Sequence, residues 1–343
     1  MSNPERKRRR SLTRASLEHY LPTNAMVVVG VAAAVAVLAG ALLVGASVRQ
    51  SLRELALGRL GAADVVVSTQ TFFRSALADS FIGAPAGPEV RSAVPLIVAA
   101  SAVVHEESRR TAGRVLVYGI DERFGRFHGV QGLTVDGRDA LVSSALADEL
   151  GAKAGESLSI RIARPTDIPL STLQGRRELT GERLRVNLAR VLDRESLSEF
   201  SVAPSQGPVL AVFVPLARLQ RDLELGDRVN TILLSVGDAL APDQAASAIR
   251  DRLSRAATLE DLGLRLRPGA ESGPIVVESR SGFLAPSAAE AIEKQARDQG
   301  RAVVPALTYV ANVIRIGARE IPYSTVTAID LDDDEWSAGD SKR

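Results

Sequence analysis

Residues Ala25 to Ala46 form an uninterrupted run of 22 residues without a charged or polar side chain, and this run limits the fold more than any other feature. An α-helix rising ~1.5 Å per residue would make it roughly 33 Å long, enough to cross a hydrocarbon core of about 30 Å. A secretory leader has a shorter apolar region, about 7 to 15 residues, followed by a small-residue cleavage site. Val44-Gly45-Ala46 imitates such a site, but no helix breaker follows it. The expectation is an uncleaved membrane anchor. Beyond the run, Val48, Leu52 and Leu55 recur at helical spacing with Leu57 and Leu60 beside them. One helix is therefore predicted from about Ala25 to about Leu60, rising out of the bilayer. Gly61 stands where a helix-ending glycine belongs.

Charge sets the expected orientation. Arg6, Lys7, Arg8, Arg9, Arg10 and Arg14 precede the span, against Arg49, Arg53 and Arg59 after it, so the amino terminus is predicted to be cytoplasmic and residues 48–343 to lie outside the cytoplasm. The same basic residues sit in the first stretch of chain rather than on a folded face interleaved with aromatics, so a nucleic-acid partner is not expected. Within the span, Ala32, Ala36 and Gly40, and again Ala41 and Gly45, are spaced by four, a pattern that lets helices approach closely in lipid. The chain has no cysteine, which removes disulfides, thiolate metal sites and a cysteine nucleophile.

After Gly61 the pattern is mixed. "ADVVVS" reads as a strand, and Val94–His105 with Arg114–Ile120 as a hairpin around a polar connection. Residues 121–210 break into short runs: an Asp136-Gly137 turn, a helix "SALADEL" stopped by Gly151, a strand Ser157–Ile162, a long loop, and a strand in "RLRVNLARVLD". Strands and helices then alternate through "VLAVFVPLARLQRDLEL", "RVNTILLSVG", a helix opened by Pro242 and running to about Gly263, "GPIVVESR", "PSAAEAIEKQARDQG", "AVVPALTYVANVIRI" and "IPYSTVTAIDL". The fold class is mixed α/β, or α+β, with a β-rich insert.

Motifs for catalysis are missing: the sequence has no GxxxxGK[ST], no GxGxxG after a strand, no GxSxG and no HExxH. His105-Glu106-Glu107 comes nearest to a zinc motif but lacks a second histidine at helical spacing, and His19 and His128 are remote in sequence. It reads as a strand end running into a polar turn. The acidic run Asp330–Glu335 lacks the spaced glycine of a calcium loop and reads as a solvated tail. No catalytic, cofactor-binding or metal-binding residue is assigned, no cofactor is expected, and the chain is not expected to be an enzyme. For substrate contact, the Pro- and Arg-bearing loop from Arg164 to Arg177 is the segment of choice.

The order of "SLRELALGRLGAADVVV", "VYGIDERFGRFHG", "LVSSALADELGAKAGESLSIRI", "AVFVPLARLQRDLELGDRVNTILL" and "LTYVANVIRIGAREIPYSTVTAIDL" behind a first membrane helix resembles the amino-terminal part of an FtsX-like or MacB-like ABC transporter permease, over roughly Thr23 to Leu331. The resemblance implies a cytoplasmic basic tail at 1–24, a transmembrane helix at 25–48 and a stalk helix at 49–61. A two-lobed extracytoplasmic domain follows, with a porter-like α/β lobe (62–120 and 211–331), an inserted β-rich lobe (121–210) and an acidic tail at 332–343. It further implies a separate or fused cytoplasmic ABC ATPase and a second permease copy or half as partners. The function implied is transmission of ATPase-driven motion for export or extraction of lipid, lipoprotein, peptide or drug at the plasma membrane. Such permeases carry three further membrane helices; this chain has no second long apolar run, so either a fragment of a larger permease or a truncated product that cannot transport alone is expected. The alternative, from another functional class, is a single-pass anchored extracytoplasmic binding or sensor module.

Overall fold

The computed structural model describes residues 14–83, 89–162, 182–193, 195–237, 242–268, 274–280 and 282–329. Its first long element is one unbroken helix, α1 (Leu21–Arg59), which contains the whole apolar run and the stretch after it. Mean hydropathy over its most apolar window is 2.8 and none of that window is buried, and among the described residues it is the one helix long and apolar enough to cross a membrane. Small residues and Val make it apolar around its entire circumference, as a lipid-facing helix requires.

The chain forms two compact units, the first ending at Gly263 and the second beginning at Leu264. The first is built on an eight-stranded mixed sheet in the order β1-β8-β2-β3-β7-β4-β6-β5. Its strands are β1 (Val65–Arg74), β2 (Val90–His105), β3 (Thr111–Ile120), β4 (Asp139–Ser143), β5 (Ser157–Ile162), β6 (Glu182–Leu192), β7 (Ala211–Pro215) and β8 (Arg228–Val236). The 16-residue β2 serves two neighbourhoods. Its first half pairs with β8 (Ala93↔Leu234, Leu96↔Thr231), and its second half pairs with β3 (Ile97↔Gly119) and with β5 (Ser101↔Ile162, His105↔Leu158). The β2–β5 pairing closes β2, β3, β7, β4, β6 and β5 into a barrel. Strands from the 121–210 stretch are thus hydrogen-bonded into the same sheet as β3 and β7, through the parallel β3–β7 pair and the antiparallel β4–β7 pair.

Alternation along the strands sorts side chains between two cores. Val115, Val117, Ala140, Val142, Val212, Val214, Ile232 and Leu234 face one. Tyr118, Ile120, Leu141, Ala211, Phe213 and Leu233, their neighbours in sequence, face the other. Helices α3 (Ser144–Leu150), α4 (Leu216–Asp222) and α5 (Pro242–Ala256) add Leu146, Leu150, Leu219 and Ile249 to the first core. Helix α2 (Glu122–His128) adds Phe124 to the second. Ser143 caps α3 by accepting the Leu146 N–H, and Gly151 ends it in the left-handed region at φ 64°, a conformation in which a Cβ costs energy. The helix opened by Pro242 stops at Ala256, short of the expected Gly263.

The second unit contains the hairpin β9 (Leu264–Pro268) with β10 (Ile275–Ser279), helix α6 (Pro286–Asp298), and the hairpin β11 (Ala306–Ile316) with β12 (Arg319–Ile329). None of its described residues is buried.

Candidate functional site

The end of α1 is where a membrane helix meets a folded domain, and the sequence builds it with one arginine, one glycine and one histidine. Arg59, the last residue of α1, is 8% exposed. Its Nη1 donates to the Ser205 carbonyl at 2.5 Å and contacts the Ser205 hydroxyl at 3.1 Å, and its Nη2 donates to the Gly207 carbonyl at 2.8 Å. Its own carbonyl accepts the Ser201 N–H at 3.1 Å. A guanidinium presents donors in a rigid fork, so it fixes the loop in position as well as attracting it. Its charge also complements the carbonyl end of the helix.

The chain then turns sharply. Gly61 adopts φ 62°, and a Cβ there would lie 2.6 Å from His128 Nδ1. The space is taken because His128 Nδ1 accepts the Ala62 N–H at 3.2 Å. Two residues on, the Asp64 N–H donates to the Leu234 carbonyl at 2.9 Å while its carboxylate accepts the Val236 N–H at 2.7 Å, and the chain enters β1 against β8. No flexible linker separates the helix from the sheet.

Below the turn lies an aromatic cluster. Phe124 and Phe200 rings are 5.1 Å apart, Tyr118 and Phe200 5.2 Å, and His128 stands 4.7 Å from Phe124 and 5.3 Å from Phe200, all edge to face. Leu60 and Leu197 pack against it. Burial pushes the His128 pKa down to about 4 and the Tyr118 hydroxyl up to about 12. With Nδ1 engaged as an acceptor, the neutral His128 ring carries its proton on Nε2. These groups pack and hydrogen-bond the foot of α1 against the domain.

Arg59 was counted in the sequence only as a flanking charge, and His128 only as remote from His105. Their shared position at the foot of α1 depends on the 205–207 loop and on α2, which no local pattern announces. Of the leucines after the span, Leu52 and Leu55 remain exposed and Leu60 packs on the core. The substrate loop from Arg164 to Arg177 and the acidic run Asp330–Glu335 lie outside the described residues. His105 ends β2, buried, and with Glu107 and Glu156 forms the cluster among the described residues able to hold a metal.

A helix of membrane-spanning length locked end-on into a β-rich domain defines a class of anchored extracytoplasmic modules. The profile of the MacB-like periplasmic core domain matches residues 25–252, and the chain belongs to that family. The family comprises components of ABC-type permeases, which work with ABC ATPases. Among solved structures, the periplasmic region of MacB from Actinobacillus actinomycetemcomitans is similar at 11% identity, over 71% of this chain and 98% of that one, with a TM-score of 0.35. The extracellular domain of the noncanonic ABC-type transporter YknZ from Gram-positive bacteria is similar at 14% identity, over 57% of this chain and 95% of that one, with a TM-score of 0.35. A domain of a putative permease protein from Porphyromonas gingivalis is similar at 14% identity, over 55% and 73% respectively, with a TM-score of 0.32. Comparison with curated proteins gives no match.

Proposed function

We propose that this chain supplies the first membrane helix and the extracytoplasmic domain of a permease that carries ATPase-driven motion across the membrane, for export or extraction of a lipid, lipoprotein, peptide or drug. Residues 1–24 are cytoplasmic in this reading, 25–48 cross the bilayer and 49–61 form the stalk. A second copy or half packs against the small-residue face at Ala32, Ala36 and Gly40. The observation that supports the reading most is the joint: α1 runs without a break to Arg59, which is clamped to the Ser205 and Gly207 carbonyls. A tether has no need of a rigid foot, whereas a lever does.

The absence of cysteine makes the test clean. Membranes carrying Ser16→Cys or Ser254→Cys are labelled with an impermeant thiol reagent; labelling of Ser254→Cys alone from the outer face gives the orientation. The chain is then extracted in mild detergent and tested for co-purification of an ABC ATPase, and ATP is added while distances between spin labels at position 254 of paired copies are read. An ATP-dependent change that a Gly-Ser-Gly insertion after Arg53 abolishes is the expected result. Failure to recruit any ATPase, with ligand binding by the chain alone, favours the anchored sensor and overturns the lever.

A further inference from the structure

The turn from β2 to β3 begins at His105, which is 2% exposed. The register of β2 with β5 places His105 opposite Leu158, and that brings Glu156, just ahead of β5, to the imidazole. The network around Ser108 fixes the tautomer. The Ser108 hydroxyl donates to the Leu150 carbonyl at 3.2 Å and accepts the Arg110 N–H at 3.3 Å, leaving one lone pair for His105 Nδ1 at 2.8 Å. Nδ1 is therefore the donor. In the neutral ring the bare lone pair is on Nε2, and it stands 3.1 Å from Glu156 Oε2. That oxygen already accepts the Lys153 N–H at 2.6 Å.

Two electron-rich atoms held at this separation beside a buried imidazole ring repel each other unless a cation joins them. A proton is poorly served, because Nε2 is buried and has no partner in hydrogen-bonding geometry. A metal ion is well served. Glu107 offers a third ligand atom, a carboxylate oxygen, and the three ligand atoms all lie within 4.8 Å of one another. Ligands held ~2.0–2.1 Å from a tetrahedral zinc stand roughly 3.3 Å apart, close to the Nε2–Oε2 distance. The Ser108 hydroxyl on Nδ1–H is the outer partner that orients a metal-bound imidazole. One imidazole with two carboxylates favours zinc and its neighbours over magnesium or calcium, which take oxygen-only shells. Glu107 is exposed and Glu156 partly so, which gives an ion a way in.

We propose that His105, Glu107 and Glu156 form a binding site for a divalent transition-metal ion, best suited to Zn²⁺, that clips the β2–β3 turn to the start of β5 at the seam where the barrel closes. The sequence alone reads His105-Glu106-Glu107 as a strand end rather than a metal site, and Glu156 arrives only through strand pairing.

The full chain in detergent, stripped with a chelator, is titrated calorimetrically with ZnCl₂ and separately with MgCl₂ and CaCl₂, and its Co²⁺ form is read by visible absorbance. One saturable Zn²⁺ per chain, four-coordinate cobalt bands and a higher unfolding temperature with zinc are expected. Glu107→Gln, at an exposed position, and Glu156→Gln should each weaken zinc binding by roughly tenfold or more, and Glu107→Gln should leave the unfolding temperature of the metal-free chain unchanged. The proposal is overturned by the absence of saturable binding or by an affinity unchanged in both variants. It is equally overturned by ¹⁵N imidazole spectra showing His105 Nε2 protonated at saturating zinc.

Discussion

Arg59 and Gly207 lie 148 positions apart in the chain, yet the Arg59 guanidinium donates to the Gly207 carbonyl at 2.8 Å. The same side chain holds Ser205, so the end of α1 and the 205–207 loop are joined through one guanidinium. Charge-assisted hydrogen bonds contribute about 1.5–3 kcal/mol each, and because Ser205 and Gly207 are exposed, water can replace the guanidinium at their carbonyls. Arg59→Met is expected to lower domain stability by about 3 kcal/mol in denaturant titrations of the full chain. Amide exchange at Ser201, whose N–H rests on the Arg59 carbonyl, should accelerate. Arg59→Lys should recover less than half the loss, because an ammonium cannot span both carbonyls with a planar fork.

Gly61 and Gly58 make opposite predictions three residues apart. Gly61 has φ 62° and no room for a Cβ beside His128, whereas a Cβ at Gly58 meets nothing within 4 Å. Gly61→Ala should destabilise by about 1–2 kcal/mol from the backbone alone, with a further loss as the His128 ring is displaced. Gly58→Ala, in the last turn of α1, should stabilise by up to ~1 kcal/mol. Paired unfolding curves on the two variants check both signs.

Local patterns were enough for some of this architecture and blind to the rest. "SALADEL" with Ser143 ahead and Gly151 behind carries its own cap and stop, and the strand Ser157–Ile162 has an apolar residue at every second position; both elements occur where expected. The hairpin of β2 and β3 was legible for the same reason. Helix α2, seven residues long, was missed because "ERFGRFH" has a glycine at its centre and too few turns to show a period. Strand β9 was missed because "LRLRP" is short and heavily charged. Barrel closure could not be read at all: the β2–β5 pairing depends on the register of distant strands, which no window of sequence contains. The His105–Glu156 contact follows from that pairing, and the Arg59 clamp from the long-range approach of the 205–207 loop.

His128 makes the foot of α1 sensitive to pH. Its ordinary pKa is about 6.5, and burial pushes it down to about 4 in the folded chain. Between those values the unfolded chain binds a proton that the folded one refuses. Stability from this group is therefore whole above about pH 6.5, falls as pH drops toward 4, and is constant below that. The span corresponds to about 3 kcal/mol at ~1.36 kcal/mol per pH unit. His128→Gln, which keeps an acceptor for the Ala62 N–H, should remove this slope from stability measured between pH 7 and 4. An unchanged slope would place the titrating group elsewhere.

Asp261 ties the end of β1 to the turn after α5, and its response to acid runs lower. It is 6% exposed, and its carboxylate accepts Arg74 Nε at 2.9 Å, the Arg74 N–H at 3.1 Å and the Thr258 N–H at 2.9 Å. Burial alone would raise its pKa, but the bonds from Arg74 and Thr258 prevail and hold it down at about 2. The folded state keeps this carboxylate charged after the unfolded chain, with an ordinary value of about 3.9, has taken up its proton. Its contribution is thus whole above about pH 4 and is lost as pH falls toward 2. Asp261→Asn should cost about 1–3 kcal/mol at neutral pH, because the charged acceptor of the Arg74 and Thr258 donors is lost. Adding Arg74→Met to it should cost little more, since the pair is already broken. A double-mutant cycle on unfolding free energies at pH 7 and at pH 3 tests both statements: the coupling between the two residues should be smaller at pH 3.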